Sequence, residues 1–128
     1  MVGVDARLSE IAQLALSISC IDFGIAQLGG LRTAEEQHAL YKAHASKCDG
    51  YEIKSKHQSG QALDVYAYVD GRATWDPVAL AMVACAMLEA SNRLKNSLIW
   101  GGHFRPLSDD PFLHGWDMGH FELLYKHE

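Results

Sequence analysis

The spacing of apolar residues along the chain predicts three helices. An apolar stripe at helical spacing follows Asp5, a good capping residue, and fades near Cys20. A second helix begins after Thr33, whose hydroxyl forms a capping box with a glutamate three residues later, and runs to about Ser46. The third begins at Asp76, where a capping carboxylate precedes a proline, and its apolar stripe is expected to pack on a sheet.

Short alternating or apolar runs between these helices predict strands. The predicted strands cover residues 21–25, 62–69, 72–75, 98–100 and 121–125. An Asp70-Gly71 turn joins the second and third strands into a hairpin, whereas the polar segment 47–59 is expected to form a loop. This order of elements predicts an α+β fold, in which a small antiparallel sheet is flanked by about three helices.

The composition is that of one folded domain. The 128 residues are 48% hydrophobic and 21% charged, which is enough apolar material for a core and excludes a disordered chain. The longest apolar stretch, residues 78–88, is too short and too polar to cross a bilayer, so we expect no membrane insertion. Residues 1–10 lack the pattern of a secretory signal peptide, so we expect the protein to stay in the cytoplasm until it is released.

Charge and cysteine content exclude two further classes of protein. The net charge of −5, with 11 basic residues dispersed along the chain, offers no surface for nucleic acid. Cys20, Cys48 and Cys85 are widely spaced and form no C-x-x-C pair, which argues against a disulfide framework or a cysteine zinc site. We expect these thiols to be reduced and mostly buried.

Two histidines lie at short spacing from carboxylates. His57 follows a polar loop, Asp64 lies inside a predicted strand, and Gly60 permits a tight turn between them. Both side chains can therefore point at one spot. Asp117 and His120 form a second such pair just before the last predicted strand.

These residues have the composition of a catalytic metal site. Two histidines and an aspartate, His57, Asp64 and His120, make a three-ligand zinc set that leaves a fourth position for water. Asp117 is then a spare carboxylate, able to take a proton from the water and to protonate a leaving amine. Arg32, at the exit of the first strand, would supply a positive charge for the oxyanion.

Both proposed catalytic residues also have simpler interpretations. Asp117 is suited to initiating a turn, and Arg32 is placed to pair on the surface with Glu35 or Glu36. Asp64, by contrast, would be costly to bury in a strand without a partner, and a metal ion is a natural one.

Further residues near the site are candidates for contact with substrate: Ser55, Lys56, His103 and Trp116. Ser55 is alternatively a hydrogen-bond partner within the loop that orients His57. Lys56 is alternatively a solvated charge, His103 a surface residue, and Trp116 an aromatic residue of the core or its rim.

The site residues fall into a known motif. The chain reads Ser55-x-His57-x-x-Gly60-x-Ala62-x-Asp64 and, later, Asp117-x-x-His120. This pattern resembles the signature of the D-Ala-D-Ala carboxypeptidase/VanY group of zinc peptidases, which is related to hedgehog-type and lysostaphin-type folds. Within that group, the small size and several segments resemble bacteriophage endolysins that act as L-alanyl-D-glutamate peptidases: Gly30 to Gln37, Trp100-Gly101-Gly102 and His120-Phe121-Glu122-Leu123.

The resemblance implies a hedgehog/D-Ala-D-Ala-peptidase-like fold and a role for each site residue. It implies that His57, Asp64 and His120 bind Zn²⁺. It also implies that Asp117 is the catalytic base and that Arg32 steadies the transition-state oxygen. We therefore expect a phage lysis enzyme that hydrolyses the bond between L-alanine and D-glutamate in the peptidoglycan stem peptide.

The same resemblance sets expectations about organisation and location. We expect residues 1–128 to form a single catalytic domain without a separate wall-binding domain, and to act as a monomer. The enzyme would stay in the host cytoplasm until a holin releases it, and would then act on the cell wall in the periplasm.

Three other functions fit the same residues. A D,D-carboxypeptidase or dipeptidase would use the metal site on terminal D-Ala-D-Ala. A non-catalytic, zinc-bearing wall-binding module would keep the metal without turnover, although the spare Asp117 argues against it. A cytoplasmic peptidase unrelated to the wall would cleave ordinary L-peptides.

Overall fold

The helices and strands follow the predicted order along the chain. A computed structural model describes residues 3–27, 29–103 and 117–124. Its elements are α1 (Ala6–Ile18), β1 (Asp22–Ile25), α2 (Ala34–Lys42), β2 (Ala62–Val69), β3 (Arg72–Thr74), α3 (Pro77–Leu94), β4 (Leu98–Trp100), a short 3-10 helix (Gly101–His103) and β5 (His120–Leu123). Helices thus flank a small antiparallel sheet, and the predicted α+β class is confirmed.

Strand β2 is the centre of the sheet. The strand order is β1-β2-β5-β4, and β3 adds to the far end of β2. All of these pairs are antiparallel, with the start of β2 against β5 and its end against β3. This register places Asp64 directly opposite His120.

The two faces of β2 lie in different environments. Leu63, Val65 and Ala67 are buried in a core that they share with apolar residues of α1 and α3. Asp64 and Tyr66 alternate with them and are only partly buried, because successive side chains of a strand point to opposite faces. The core therefore lies on one side of the sheet, and the first carboxylate of the site lies on the other.

All three predicted helix starts are confirmed. Asp5 accepts a hydrogen bond from the Arg7 backbone N–H, and Asp76 accepts from the first turn of α3. Thr33 and Glu36 make both hydrogen bonds of the predicted capping box. None of the helices within the described residues is long and apolar enough to cross a membrane.

Helix α2 is shorter than predicted. It ends at Lys42 rather than near Ser46, because His44 adopts a left-handed backbone with a φ of 60°. The N–H of Ala45 then reaches back 2.9 Å to the carbonyl of Leu40, which closes the helix with a bond typical of a Schellman motif. The chain turns away at this point and forms one wall of the groove described below.

The strands differ from the prediction by one residue at three ends, and β5 ends at Leu123, short of the predicted Tyr125. β1 begins at Asp22 rather than at residue 21. β3 ends at Thr74 rather than Trp75, since the Thr74 hydroxyl already accepts the N–H of Asp76 at the next helix start. β5 begins at His120 rather than Phe121, and Tyr125 itself lies outside the described residues.

The expectation that the cysteines are mostly buried is wrong. Cys20 lies just beyond the end of α1 and is exposed, and Cys48 is half-buried in a loop. Cys85 is exposed because it lies on the outer face of α3, among positions that alternate with the buried stripe. All three are free thiols.

Gly60 ties the start of α1 to the turn that carries His57. Its carbonyl accepts the N–H of Asp5 at 2.8 Å, and its own N–H donates to the carbonyl of His57 at 3.3 Å. Its φ is +74°, and a Cβ at this position would overlap the carbonyl oxygen of Gly3. Both the backbone angle and the space therefore require glycine.

We expect Gly60→Ala to lower the free energy of unfolding by about 2–4 kcal/mol, because left-handed strain and a steric clash add together. Gly71→Ala is the matched control, since Gly71 has the same φ of +74° but no described atom within 4 Å of an added Cβ. It should cost only about 1 kcal/mol. Urea unfolding measures both changes, and equal losses would contradict the role of the clash.

Candidate metal centre and active site

Three side chains from different parts of the chain converge on the open face of the sheet. His57 comes from the turn before β2, Asp64 from β2 itself, and His120 from the first position of β5. One potential ligand atom from each lies within 4.8 Å of the others. The Nε2 of His57 is 3.3 Å from one oxygen of Asp64, and the Nδ1 of His120 is 2.9 Å from the other oxygen.

The outward nitrogens of both histidines face oxygen acceptors. The Nδ1 of His57 is 3.1 Å from the carbonyl oxygen of Gly30, and the Nε2 of His120 is 2.9 Å from a carboxylate oxygen of Glu122. An acceptor at the outward nitrogen favours a proton there, so the inward nitrogen, which faces Asp64, presents a lone pair when a cation replaces its proton. Two inward lone pairs and one carboxylate are a donor set suited to a zinc ion.

The charges of this cluster depend on one another. Burial opposes ionisation of Asp64, but hydrogen bonds from His120 and His57 hold its pKa well below the usual range. Burial also lowers the pKa of His120, but hydrogen bonds to Asp64 and Glu122 outweigh it and raise that pKa to about 9. A positive charge is therefore favoured between these carboxylates, and a bound cation would supply one.

Asp117 is the spare carboxylate beside this cluster. One of its oxygens lies 3.9 Å from the Nδ1 of His120, and its side chain is 36% exposed. Burial, and then the nearby negative charge of Asp64, raise the pKa of Asp117 above its usual value. A carboxyl group of raised pKa next to a metal site is suited to accepting and returning a proton.

Arg32 is part of the site and is mostly buried. Its Nη2 donates to an oxygen of Asp64 at 2.9 Å, and its Nη1 donates to the side-chain oxygen of Gln37, also at 2.9 Å. Glu36, one of the two alternative surface partners, is engaged in the capping box with Thr33. The guanidinium is therefore fixed beside the candidate metal ligand.

Gln37 is a functional neighbour to which the sequence analysis gave no role. It is fully buried, and its amide nitrogen donates to the Ser46 hydroxyl at 2.7 Å and to the Cys48 carbonyl at 2.8 Å. It thus connects Arg32 to the loop that follows α2. One feature of the sequence could have indicated this role: Gln37 is a polar residue one helical turn after Thr33, on the inward side of a short helix.

The four candidate substrate residues have different outcomes. The Ser55 hydroxyl accepts the backbone N–H of His57 at 3.2 Å, as expected for a residue that orients this histidine. Lys56 is no freely solvated charge, since its ammonium lies 2.6 Å from Glu122. The backbone of His103 ends the short 3-10 helix, but its side chain and all of Trp116 lie outside the described residues.

Glu122 is a second residue to which the sequence analysis gave no role. Its hydrogen bond with His120 lowers its pKa to about 2 in spite of partial burial, and Lys56 contributes in the same direction. In the sequence, Glu122 draws attention only as part of the segment His120-Phe121-Glu122-Leu123. A carboxylate two residues after a candidate ligand in a strand was the available signal, because both side chains then lie on one face.

The cluster opens into a groove of about 840 Å³. Its floor includes Arg32, Asp64 and Asp117. One wall is formed by the loop after α2 and carries two exposed lysines, Lys47 and Lys54. The groove therefore combines a cationic wall with the carboxylates of the cluster, and the wall attracts ligands of negative charge.

Solved structures define the class of protein that carries this fold. The chain matches the Serratia marcescens L-Ala D-Glu endopeptidase ChiX with a TM-score of 0.79 and 29% sequence identity, over 95% of this chain and 81% of that one. It matches the D,D-pentapeptidase VanY of a VanB-type vancomycin resistance cassette, solved in complex with Zn(II), with a TM-score of 0.58 and 18% identity. The second match covers 94% of this chain and 72% of VanY. The fold is that of the VanY-like peptidases, as the resemblance implied.

Sequence comparisons narrow this class to one family. The model of the phage L-alanyl-D-glutamate peptidases matches residues 1–124. The L-alanyl-D-glutamate peptidase of Escherichia phage T5 is 33% identical in an alignment of 128 positions, which covers 97% of this chain and 91% of the relative. The chain belongs to the phage L-alanyl-D-glutamate peptidase family, and the predicted family is confirmed.

We expect Gln37→Leu to lower the free energy of unfolding by about 1–3 kcal/mol, because the partly buried carbonyl of Cys48 and the hydroxyl of Ser46 lose their donor. Gln13→Leu is the control, since Gln13 is exposed on α1 and its loss should change stability by less than about 0.5 kcal/mol. Urea unfolding compares the two variants. A Gln37→Leu variant as stable as the control would show that the buried amide does not hold the loop.

Proposed function

We propose that the protein is a zinc-dependent endopeptidase that hydrolyses the L-alanyl-D-glutamate bond of the peptidoglycan stem peptide. The observation that carries this proposal is the convergence of His57, Asp64 and His120, with Asp117 beside them, in a member of this family. The activity named for the phage T5 relative and for ChiX supports the choice of bond.

The donor set supports zinc as the cofactor. Two imidazole nitrogens and one carboxylate are typical of catalytic zinc sites, and the VanY neighbour was solved with Zn(II). Zinc, when bound in such a site, acts as a Lewis acid that polarises a carbonyl and makes water a stronger nucleophile at neutral pH. His57, Asp64 and His120 would hold the ion.

Asp117 is the proposed general base. Its carboxylate borders the cluster, with one oxygen 3.9 Å from the Nδ1 of His120, and its side chain is 36% exposed, so water can reach it. In hydrolysis it would accept a proton from that water and return it to the departing amine of D-glutamate. Asp117 is then again a deprotonated carboxylate, as it was before the reaction.

Arg32 is the proposed stabiliser of the developing negative charge. Its guanidinium is held by Gln37 and lies 2.9 Å from Asp64, at the floor of the groove. A fixed cation costs no reorganisation when the carbonyl oxygen becomes negative, which is the condition for effective electrostatic stabilisation. Arg32 would therefore act on the transition state more strongly than on the bound substrate.

The groove supports a peptide substrate that carries carboxylates. Lys47 and Lys54 on its wall would attract the acidic stem peptide, and Ser55 and Lys56 would act through His57 and Glu122 rather than by contact with substrate. Contact of His103 and Trp116 with substrate remains a prediction. As a phage lysis enzyme, the protein would remain in the host cytoplasm until its release and would attack the wall as a monomer.

Digestion of purified peptidoglycan, followed by mass spectrometry of the products, tests this function. The zinc-loaded protein should release fragments with new D-glutamate amino termini, and a chelator should abolish them. Release of terminal D-alanine alone would identify a D,D-carboxypeptidase instead. Zinc binding without any cleavage would identify a binding module, and cleavage of L-peptides only would identify a peptidase unrelated to the wall.

We expect Asp117→Asn to reduce turnover by roughly 10²–10⁴-fold, the usual contribution of a general base, while zinc stays bound. Asp70→Asn is the matched control, because Asp70 lies in the β2–β3 turn at a φ of 52°, a conformation that asparagine tolerates. Product formation and zinc content are measured on both variants. Full activity of Asp117→Asn would show that another group is the base.

A further inference from the structure

A continuous line of polar contacts runs from the candidate metal ligands to the surface of the protein. Asp64 contacts the Nδ1 of His120 at 2.9 Å, and the Nε2 of the same ring contacts Glu122 at 2.9 Å. The second oxygen of Glu122 lies 2.6 Å from the ammonium of Lys56. Each oxygen of Glu122 therefore has its own partner, one on the metal side and one on the solvent side.

The two outer residues belong to the same elements as the metal ligands. Glu122 lies two residues after His120 in β5, so both side chains lie on one face of the strand. Lys56 immediately precedes His57, and its ammonium also donates to the carbonyl of Leu123 at 3.2 Å. The pair therefore joins the turn that carries one ligand to the strand that carries another.

The two candidate histidine ligands are oriented by unlike groups. The outward nitrogen of His57 meets a neutral carbonyl, that of Gly30, in a fully packed part of the turn. The outward nitrogen of His120 meets the carboxyl group of Glu122, which is itself only 17% exposed and pairs with the ammonium of Lys56. A hydrogen bond to a charged acceptor is shorter and stronger than one to a neutral acceptor, so Glu122 restrains the ring effectively.

We propose that Glu122 is a positioning residue that turns the His120 ring so that Nδ1 faces the metal, and that Lys56 holds Glu122 in the required orientation. This inference rests on the proposed zinc site. Glu122 keeps the proton on Nε2 and so leaves the Nδ1 lone pair for the ion. Without Lys56, the carboxylate would be free to rotate away from His120 towards the solvent.

Zinc affinity of the full chain, measured by competition with a chelator at one fixed pH, tests the proposal. Glu122→Ala should weaken binding by roughly 10–100-fold, the usual effect of removing the group that orients a ligand. Glu122→Gln should recover only part of this loss and bind about as weakly as Lys56→Met, because its amide oxygen still accepts from Nε2 whereas its amide nitrogen cannot accept from the Lys56 ammonium. Lys56→Met, which keeps the apolar stem, should weaken binding by about threefold to tenfold.

Glu89→Ala is the control variant. Glu89 is exposed on α3 and pairs with Arg93 at 3.0 Å, so this substitution also removes a carboxylate from an ion pair but leaves the site untouched. Its zinc affinity should equal that of the unaltered protein. The visible spectrum of the cobalt-loaded protein is a second readout, and it should change with Glu122→Ala and stay constant with Glu89→Ala.

Failure of this inference is distinguishable from failure of the proposed function. If the unaltered protein binds no zinc, the proposed function itself is wrong, and this inference is overturned with it. If the unaltered protein binds zinc and Glu122→Ala binds it equally well, only the positioning role is overturned. Glu122→Gln as weak as Glu122→Ala would overturn it too, because the hydrogen bond would then not hold the ring.

Should Glu122→Ala fail to fold, the two variants of similar volume, Glu122→Gln and Lys56→Met, decide the matter. An intermediate loss, of about threefold to tenfold for each, is required, and unchanged affinity of Lys56→Met would overturn the role of this lysine.

Discussion

Asp64 and His120 lie opposite each other in the antiparallel pairing of β2 with β5, and the arrangement of the site depends on that register. Side chains of a strand alternate between two faces, so a slip of one residue would turn Asp64 into the core and Leu63 into the groove. Burial of Leu63, Val65 and Phe121 on the other face opposes such a slip. The hydrophobic core thus fixes the position of the charged cluster.

The cluster itself is a balance of charges that no single residue determines. Hydrogen bonds from His120 and His57 hold the pKa of Asp64 low against the effect of burial, and Arg32, which donates to the same carboxylate, is held there by the buried amide of Gln37. Glu122 and Lys56 extend the same network towards the solvent. Because each group is partly buried, removal of one partner leaves its neighbour without compensation, and the network acts as a unit.

Much of this arrangement was predictable from local chemistry in the sequence. The caps at Asp5, Thr33 and Asp76 define three helix starts, because a capping side chain satisfies amides within its own turn. The spacing of His57, Gly60 and Asp64 predicts convergence for an equally local reason, since one tight turn and one strand connect them. The α+β class and the family follow from the same short segments.

What the sequence did not reveal depends on distant contacts. The early end of α2 follows from the left-handed backbone at His44, a position without the glycine that usually marks such a helix end in a sequence. The roles of Gln37 and Glu122 become visible only when the loop after α2 and the strand β5 are in place. Gln37 binds the Cys48 carbonyl of that loop, and Glu122 pairs with Lys56 from a distant part of the chain. The exposure of Cys85 likewise depends on which side of α3 meets the sheet.

The central claim is that one metal ion is held by inward-facing atoms of three residues, and a crystal structure of the zinc-soaked protein tests it most directly. Anomalous scattering at the zinc edge should give one peak about 2.0–2.2 Å from the Nε2 of His57, the carboxylate of Asp64 and the Nδ1 of His120. A peak bonded instead to the Nε2 of His120 and to Glu122, or one without His57, would contradict the account.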